Sequence, residues 1–110
     1  MVFPIQSASS APTSSAPTAP QLHVATAGEA LFDLIEEPDG RLKPCAGGAV
    51  YNLTRALGLQ GVGTLYLNPL SGDMLGRQLA RGLHEAGVAL AAPTPVRAPS
   101  ALALAALDAE

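Results

Sequence analysis

The chain has 110 residues, 48% apolar and 14% charged, with a net charge of −3; it has room for one small domain or part of a larger one, with a buried α/β layer rather than a charged disordered chain. The six basic residues, Arg41, Lys43, Arg55, Arg77, Arg81 and Arg97, form no basic stripe, which argues against a nucleic-acid partner. A lone Cys45 supplies neither an internal disulfide nor a CxxC metal pair and fits a reducing, cytoplasmic setting, and no run approaches the ~18 apolar residues of a membrane span.

Residues 1–22 open the chain as a Ser/Ala/Pro/Thr-rich stretch without charge through residue 21, with SSAPT occurring twice. It has little to bury, so it reads as a disordered tail, and it lacks the basic and apolar regions of a secretory signal. From His23 a buried-type strand leads to a glycine break at Gly28. An alternating segment follows, with Leu31, Asp33 and Ile35 on one face and Phe32 and Leu34 on the other. PDG at 38–40 is a turn, so Arg41 to Ala46 returns as the second arm of a hairpin.

The spacing then predicts a first helix over 48–59, with Val50, Leu53 and Leu57 on one face and Gly58 or Gly61 ending it. A buried strand over 64–67 closes at Asn68-Pro69. A second helix follows, capped by Ser71 or Asp73, with Leu75, Leu79 and Leu83 along one face and Gly87 just past its end. Residues 88–92 give a short third strand, and SALALAALDA, after a Pro-rich loop, a fourth. Strands alternating with helices argue for a parallel sheet with helices packed on it.

Several chemistries fail on spacing. On an extended strand Glu29 and Asp33 lie ~13 Å apart at roughly 3.3 Å per residue, too far for a glycosidase carboxylate pair unless the chain bends at Gly28. No GxGxxG follows the first strand and no GK[ST] occurs, so neither a dinucleotide fingerprint nor a Walker A loop is present. His23 and His84 have no partners at metal-ligand spacing. What remains is Asp33, Gly47, Gly48 and Asn52. A carboxylate that accepts from hydroxyls, glycine N–H groups with no Cβ in the way, and an amide that both donates and accepts suit a polyhydroxylated ligand at a helix N-terminus. A glycine turn feeding a helix, with a solvated Asp33, explains the same residues without a ligand.

AGEALFDLIEE, CAGGAVYNLTRALGLQG, PLSGDMLGRQLARGLHEAGV and SALALAALDAE, in this order, resemble the N-terminal part of the ribokinase-like (pfkB) carbohydrate kinases, most of all the fructokinase branch, over residues 23–110. The resemblance implies a truncated α/β fold: a Rossmann-like parallel sheet with helices and a small β lid drawn from 31–44 and 100–110. It places the sugar-binding aspartate on Asp33 and the sugar-contacting glycines and asparagine on Gly47, Gly48 and Asn52. Tyr51 and Thr54 stand where smaller or apolar residues are usual in the family, and Met74 where a second aspartate is common. The implied activity is phosphorylation of a sugar hydroxyl with ATP and Mg²⁺, with the lid as a dimer contact. The nucleotide site and catalytic base are implied to follow residue 110, so that this chain alone is expected to be inactive. A non-catalytic sugar-binding or interaction module, or an inert truncated gene product, are the alternatives.

Overall fold

The computed structural model describes residues 1–5, 21–106 and 108. In chain order the elements are β1 (Val2–Pro4), β2 (Val24–Thr26), β3 (Leu31–Glu36), β4 (Leu42–Gly47), α1 (Ala49–Leu59), β5 (Thr64–Tyr66), α2 (Met74–Glu85), β6 (Ala89–Leu90) and β7 (Ala101–Ala105). They form two sheets. One has the order β1-β2-β5-β6, parallel across β2, β5 and β6; the other has the order β4-β3-β7. The first is the parallel layer expected from the alternation of strands and helices, and the second is the expected lid. The hairpin β3–β4 turns at 38–40, and β7 adds alongside β3 in parallel, Leu31 opposite Ala101.

Both helices stop where glycine permits a left-handed backbone. Gly61 has φ 83° and Gly87 φ 79°. After α1, Gly61 N–H donates to Gly58 O (3.0 Å) and Val62 N–H to Leu57 O (3.0 Å); after α2, Gly87 N–H donates to His84 O (2.9 Å) and Val88 N–H to Leu83 O (3.0 Å). These paired bonds satisfy the last carbonyls of each helix, and a Cβ in that conformation would be strained. Of the two glycines that could end α1, Gly61 does so.

The buried face of α1 differs from the expected one. Leu53 is 42% exposed, whereas Tyr51 and Thr54 are buried, with Val50 packed at the edge of the core. Helical spacing alone does not choose between adjacent faces; polar satisfaction does. Thr54 Oγ1 donates to Val50 O (2.6 Å) and lies 2.7 Å from Thr26 Oγ1 on β2, while Tyr51 Oη donates to Leu79 O (3.2 Å) on α2. Each hydroxyl enters the interior with a partner, so neither carries an unmet desolvation cost. On α2 the expected face holds: Leu79 and Leu83 are buried and Leu75 packs beside them. Phe32 of the lid joins the same core cluster, with Tyr51, Tyr66, Leu70 and Val88.

A correction concerns the first residues. Val2–Pro4, placed by composition in the disordered stretch 1–22, forms an antiparallel strand on β2, Val2 opposite Thr26 and Pro4 opposite Val24. Ile5 N–H donates to His23 O (2.9 Å) and Ala27 N–H to Met1 O (2.7 Å). The physical reason is the open edge of β2, whose N–H and C=O groups need partners and accept a short apolar segment. The rest of that tail assignment, residues 6–20, lies outside the described residues.

Replacing Thr54 by Val keeps the shape but strands the Thr26 hydroxyl in the core. Urea unfolding should show Thr54→Val destabilised by about 1–3 kcal/mol, with part of the loss recovered in the double variant Thr26→Val/Thr54→Val. Equal midpoints for wild type and Thr54→Val would refute the pair.

Candidate functional site

The lid sheet has two unlike faces, fixed by register. Phe32 pairs with Ala46 and Leu102, and Leu34 with Pro44 and Leu104, on one side; Asp33 pairs with Cys45 and Ala103, and Leu31 with Gly47 and Ala101, on the other. Phe32 is 4% exposed because its face rests on the helices. With Phe32 locked inward, strand alternation turns Asp33 to the opposite side.

On that side Asp33 lies over Gly47: a Cβ at residue 47 would come within 2.6 Å of Asp33 Oδ2. Gly48 has φ 102° and begins α1 without a side-chain cap. A Cβ there would stand 2.5 Å from Glu29 O. The paired glycines thus let the β4–α1 turn pass tightly against the Glu29–Ala30 backbone and the Asp33 carboxylate. Asn52 is one turn into the helix, its N–H donating to Gly48 O (2.9 Å), and it is exposed. The structure therefore groups Asp33 with Gly47, and Gly48 with Asn52, around the start of α1. Much of the space freed by the glycines is taken by the protein's own carbonyl and carboxylate.

A cleft of about 260 Å³ opens beside this group, lined among others by Glu29, Tyr66, Asn68, Ser71, Ser100 and Ala101. None of the four sequence-derived residues lines it, yet Ala101 lies on the Asp33 face of the lid and Glu29 is the residue whose carbonyl backs Gly48. Sequence reasoning missed Asn68, Ser71 and Ser100. Asn68 was read only as half of an Asn-Pro turn; its Oδ1 accepts from Gly28 N–H (2.8 Å), while Tyr66 Oη donates to Gly28 O (2.6 Å). Both bonds fix the glycine break that re-aims the chain from β2 into the lid. Burial, reinforced by Glu29 and Tyr51, pushes the Tyr66 phenol up to about 12, so it stays a neutral donor.

Asp73 bonds to two residues of the cleft wall, Ser71 and Ser100. Its Oδ1 accepts from Gly76 N–H (2.7 Å), capping α2, and from Ser100 Oγ (2.7 Å); its Oδ2 accepts from Ser100 N–H (2.7 Å). Asp73 N–H in turn donates to Ser71 Oγ (3.1 Å). The cap expected at Asp73 is present, and the bonds to Ser100 tie the base of β7 to the parallel-sheet body. Those from Ser100, then from Gly76, hold the Asp73 carboxyl well below the usual carboxylate range. Among the described residues no group of three His, Cys, Asp or Glu is placed to hold a metal ion, and no helix is long and apolar enough to cross a membrane.

A carboxyl whose folded pKa is depressed contributes stability that is complete above the unfolded value and lost as pH falls through the folded one. Thermal melts taken from neutral pH down past about pH 4 should show an acid decline that is shallower in Asp73→Asn than in wild type. Parallel curves would sink this account. For Tyr66 the sign is reversed: its raised pKa favours the neutral phenol, so its contribution is full below about pH 10 and is lost as pH rises through the folded value. In the folded Tyr51→Phe variant, ultraviolet titration should show the Tyr66 phenolate appearing only well above pH 10.

No protein-family model matches the chain, and no curated protein does. Solved structures do. A fructokinase from Xylella fastidiosa superposes with a TM-score of 0.70 at 32% identity, covering 77% of this chain and 29% of that one. The ATP-bound form of a fructokinase from the same organism gives 0.67 at 33% identity, over 73% and 26%. Aminoimidazole riboside kinase from Salmonella enterica, complexed with aminoimidazole riboside and an ATP analogue, gives 0.64 at 25% identity, over 73% and 27%. The chain thus spans less than a third of the length of these kinases.

Proposed function

We propose, for a chain that belongs to the ribokinase-like (pfkB) carbohydrate kinases, that it forms the sugar-facing part of an ATP-dependent, fructokinase-like kinase. The observation that supports this most is the placement of Asp33. It stands on the lid face turned away from Phe32, over Gly47, and shares that face with Ala101, which lines the cleft reaching the Asn68–Ser71 turn. An ionised carboxylate there accepts hydrogen bonds from sugar hydroxyls, the strongest kind available to a neutral polyol. Backbone at Gly47 and Gly48 and the exposed Asn52 amide add contacts around the same helix start, where the helix dipole favours partial negative charge.

The nucleotide is a different matter. The described residues offer no three-ligand metal cluster, and the sequence has no GK[ST] turn. No step of phosphoryl transfer is assigned to these residues. In this reading ATP, Mg²⁺ and the catalytic base belong to a longer kinase, while residues 23–110 bind and orient a small-molecule sugar in the cytoplasm, with no nucleic-acid or membrane partner. The chain alone is inactive, and the lid serves as a dimer contact. The apolar lid residues Leu102 (55% exposed) and Leu104 (68%) are suited to such a contact.

Two measurements on the 110-residue chain test this. In amide NMR, fructose should shift Gly47, Gly48 and Asn52 saturably, and Asp33→Ala should weaken binding by about 1.5–3 kcal/mol, roughly ten- to a hundredfold. Incubation with Mg·ATP and a panel of hexoses should give no sugar phosphate above a no-protein control. Saturable binding without turnover is also what a sugar-binding module would show, and only a longer chain that turns over sugar separates the two. Absence of any sugar-dependent shift refutes the site, and turnover by the chain alone refutes the division of labour.

A further inference from the structure

A second cleft, of about 420 Å³, lies on the opposite, Phe32 face of the lid. Three elements converge there. Helix α2 contributes Gln78, Arg81, Gly82 and Glu85, spaced i, i+3, i+4, i+7 on one side, and α1 contributes Tyr51 and Arg55 at i, i+4. The lid closes the cleft with Phe32, Pro44 and Ala46. Its volume falls in the range of roughly 300–1,000 Å³ found for small-molecule sites.

The side chains are arranged rather than scattered. Gly82 lets α1 come close: a Cβ there would collide with Tyr51 Oη and lie 3.7 Å from Arg55 Nε. Arg55 Nε donates to Gly82 O (3.3 Å), which fixes the plane of its guanidinium against α2. Arg81 is the neighbouring residue on that helix. Among the described residues neither arginine belongs to an ion pair, the one pair being Arg41–Asp39. Two of the chain's six basic residues therefore face one cleft, against the single carboxylate of Glu85, in a chain of net charge −3.

We propose that this cleft binds a small phosphorylated polyol, with its phosphate on Arg55 and Arg81. A phosphate monoester carries about −1.5 to −2 charges at neutral pH and three acceptor oxygens. That matches two guanidiniums, whose planar N–H forks pair with phosphate oxygens bidentately. Gln78 can donate to a further oxygen. Glu85 repels a second anionic group and accepts from hydroxyls, which selects a polyol over a dicarboxylate or bisphosphate. The carbon skeleton packs on Phe32, Pro44 and Ala46. None of these residues belongs to the proposed sugar site, so the two assignments stand or fall separately.

The test is NMR titration of the 110-residue chain with fructose 6-phosphate, fructose, inorganic phosphate and citrate, read at the Arg55 and Arg81 side-chain N–H signals and the Gly82 amide. Fructose 6-phosphate should give saturable shifts there, and fructose none. Arg81→Gln should weaken binding about tenfold, the loss of one charge-assisted contact; Arg81→Lys, which keeps the charge and loses the fork, should fall between. Circular dichroism of the variants verifies the fold, and Arg81, exposed on α2, is the position least needed for it. The proposal is overturned by unsaturable shifts, by equal affinity in wild type and Arg81→Gln, by citrate binding more tightly than fructose 6-phosphate, or by inorganic phosphate binding as tightly as the sugar phosphate.

Discussion

The carboxylate of Asp73 ties helix α2 to the base of the lid strand β7. One oxygen caps α2 through Gly76 N–H and also takes the Ser100 hydroxyl, and the other takes the Ser100 N–H. Without it the first turn of α2 would lack a side-chain partner for Gly76 and the strand β7 would have no polar tether at its base. Because β7 pairs with β3, the tether carries through to the strand bearing Asp33. A helix cap is ordinarily a local device; here the same group also positions the lid.

The two unlike faces of the lid follow from the alternation of one strand. Phe32 turns inward to a cluster containing Tyr51, Leu79 and Leu83, so Asp33 must turn outward. Two clefts flank the lid: one lined by Glu29, Asn68, Ser71 and Ser100, and a donor-rich one with Arg55 and Arg81. A one-residue slip of β3 would exchange the faces and bury a carboxylate, a strong penalty against the wrong register.

Two polar residues on the core side of α1 are explained by what lies opposite them. Tyr51 and Thr54 look out of place on a core-facing helix, yet Thr54 meets Thr26 on β2, and Tyr51 reaches Leu79 O over the bare backbone of Gly82. These hydroxyl contacts keep α1 bonded to both the sheet and α2. They also shape the second cleft, since Tyr51 and Gly82 both line it.

The sequence by itself determined whatever rests on local chemistry. The hairpin turn at 38–40, a cap at Ser71 or Asp73, a stop at Gly58 or Gly61 and the stop at Gly87 were legible because a few consecutive residues dictate them, whereas the lid was implied by the family resemblance. That Asp33 would lie against Gly47 was not among the legible features. Only the tertiary structure decided the rest. Which face of α1 is buried depended on a hydroxyl 28 residues away in the chain. The N-terminal strand depended on an open edge of β2 that composition cannot reveal. The cleft residues Asn68, Ser71 and Ser100, and the meeting of Arg55 with Arg81, depended on packing between elements distant in sequence. Hydrogen-bond satisfaction and close packing are set by what lies opposite, and a linear sequence does not show what lies opposite until the sheet and helices are in place.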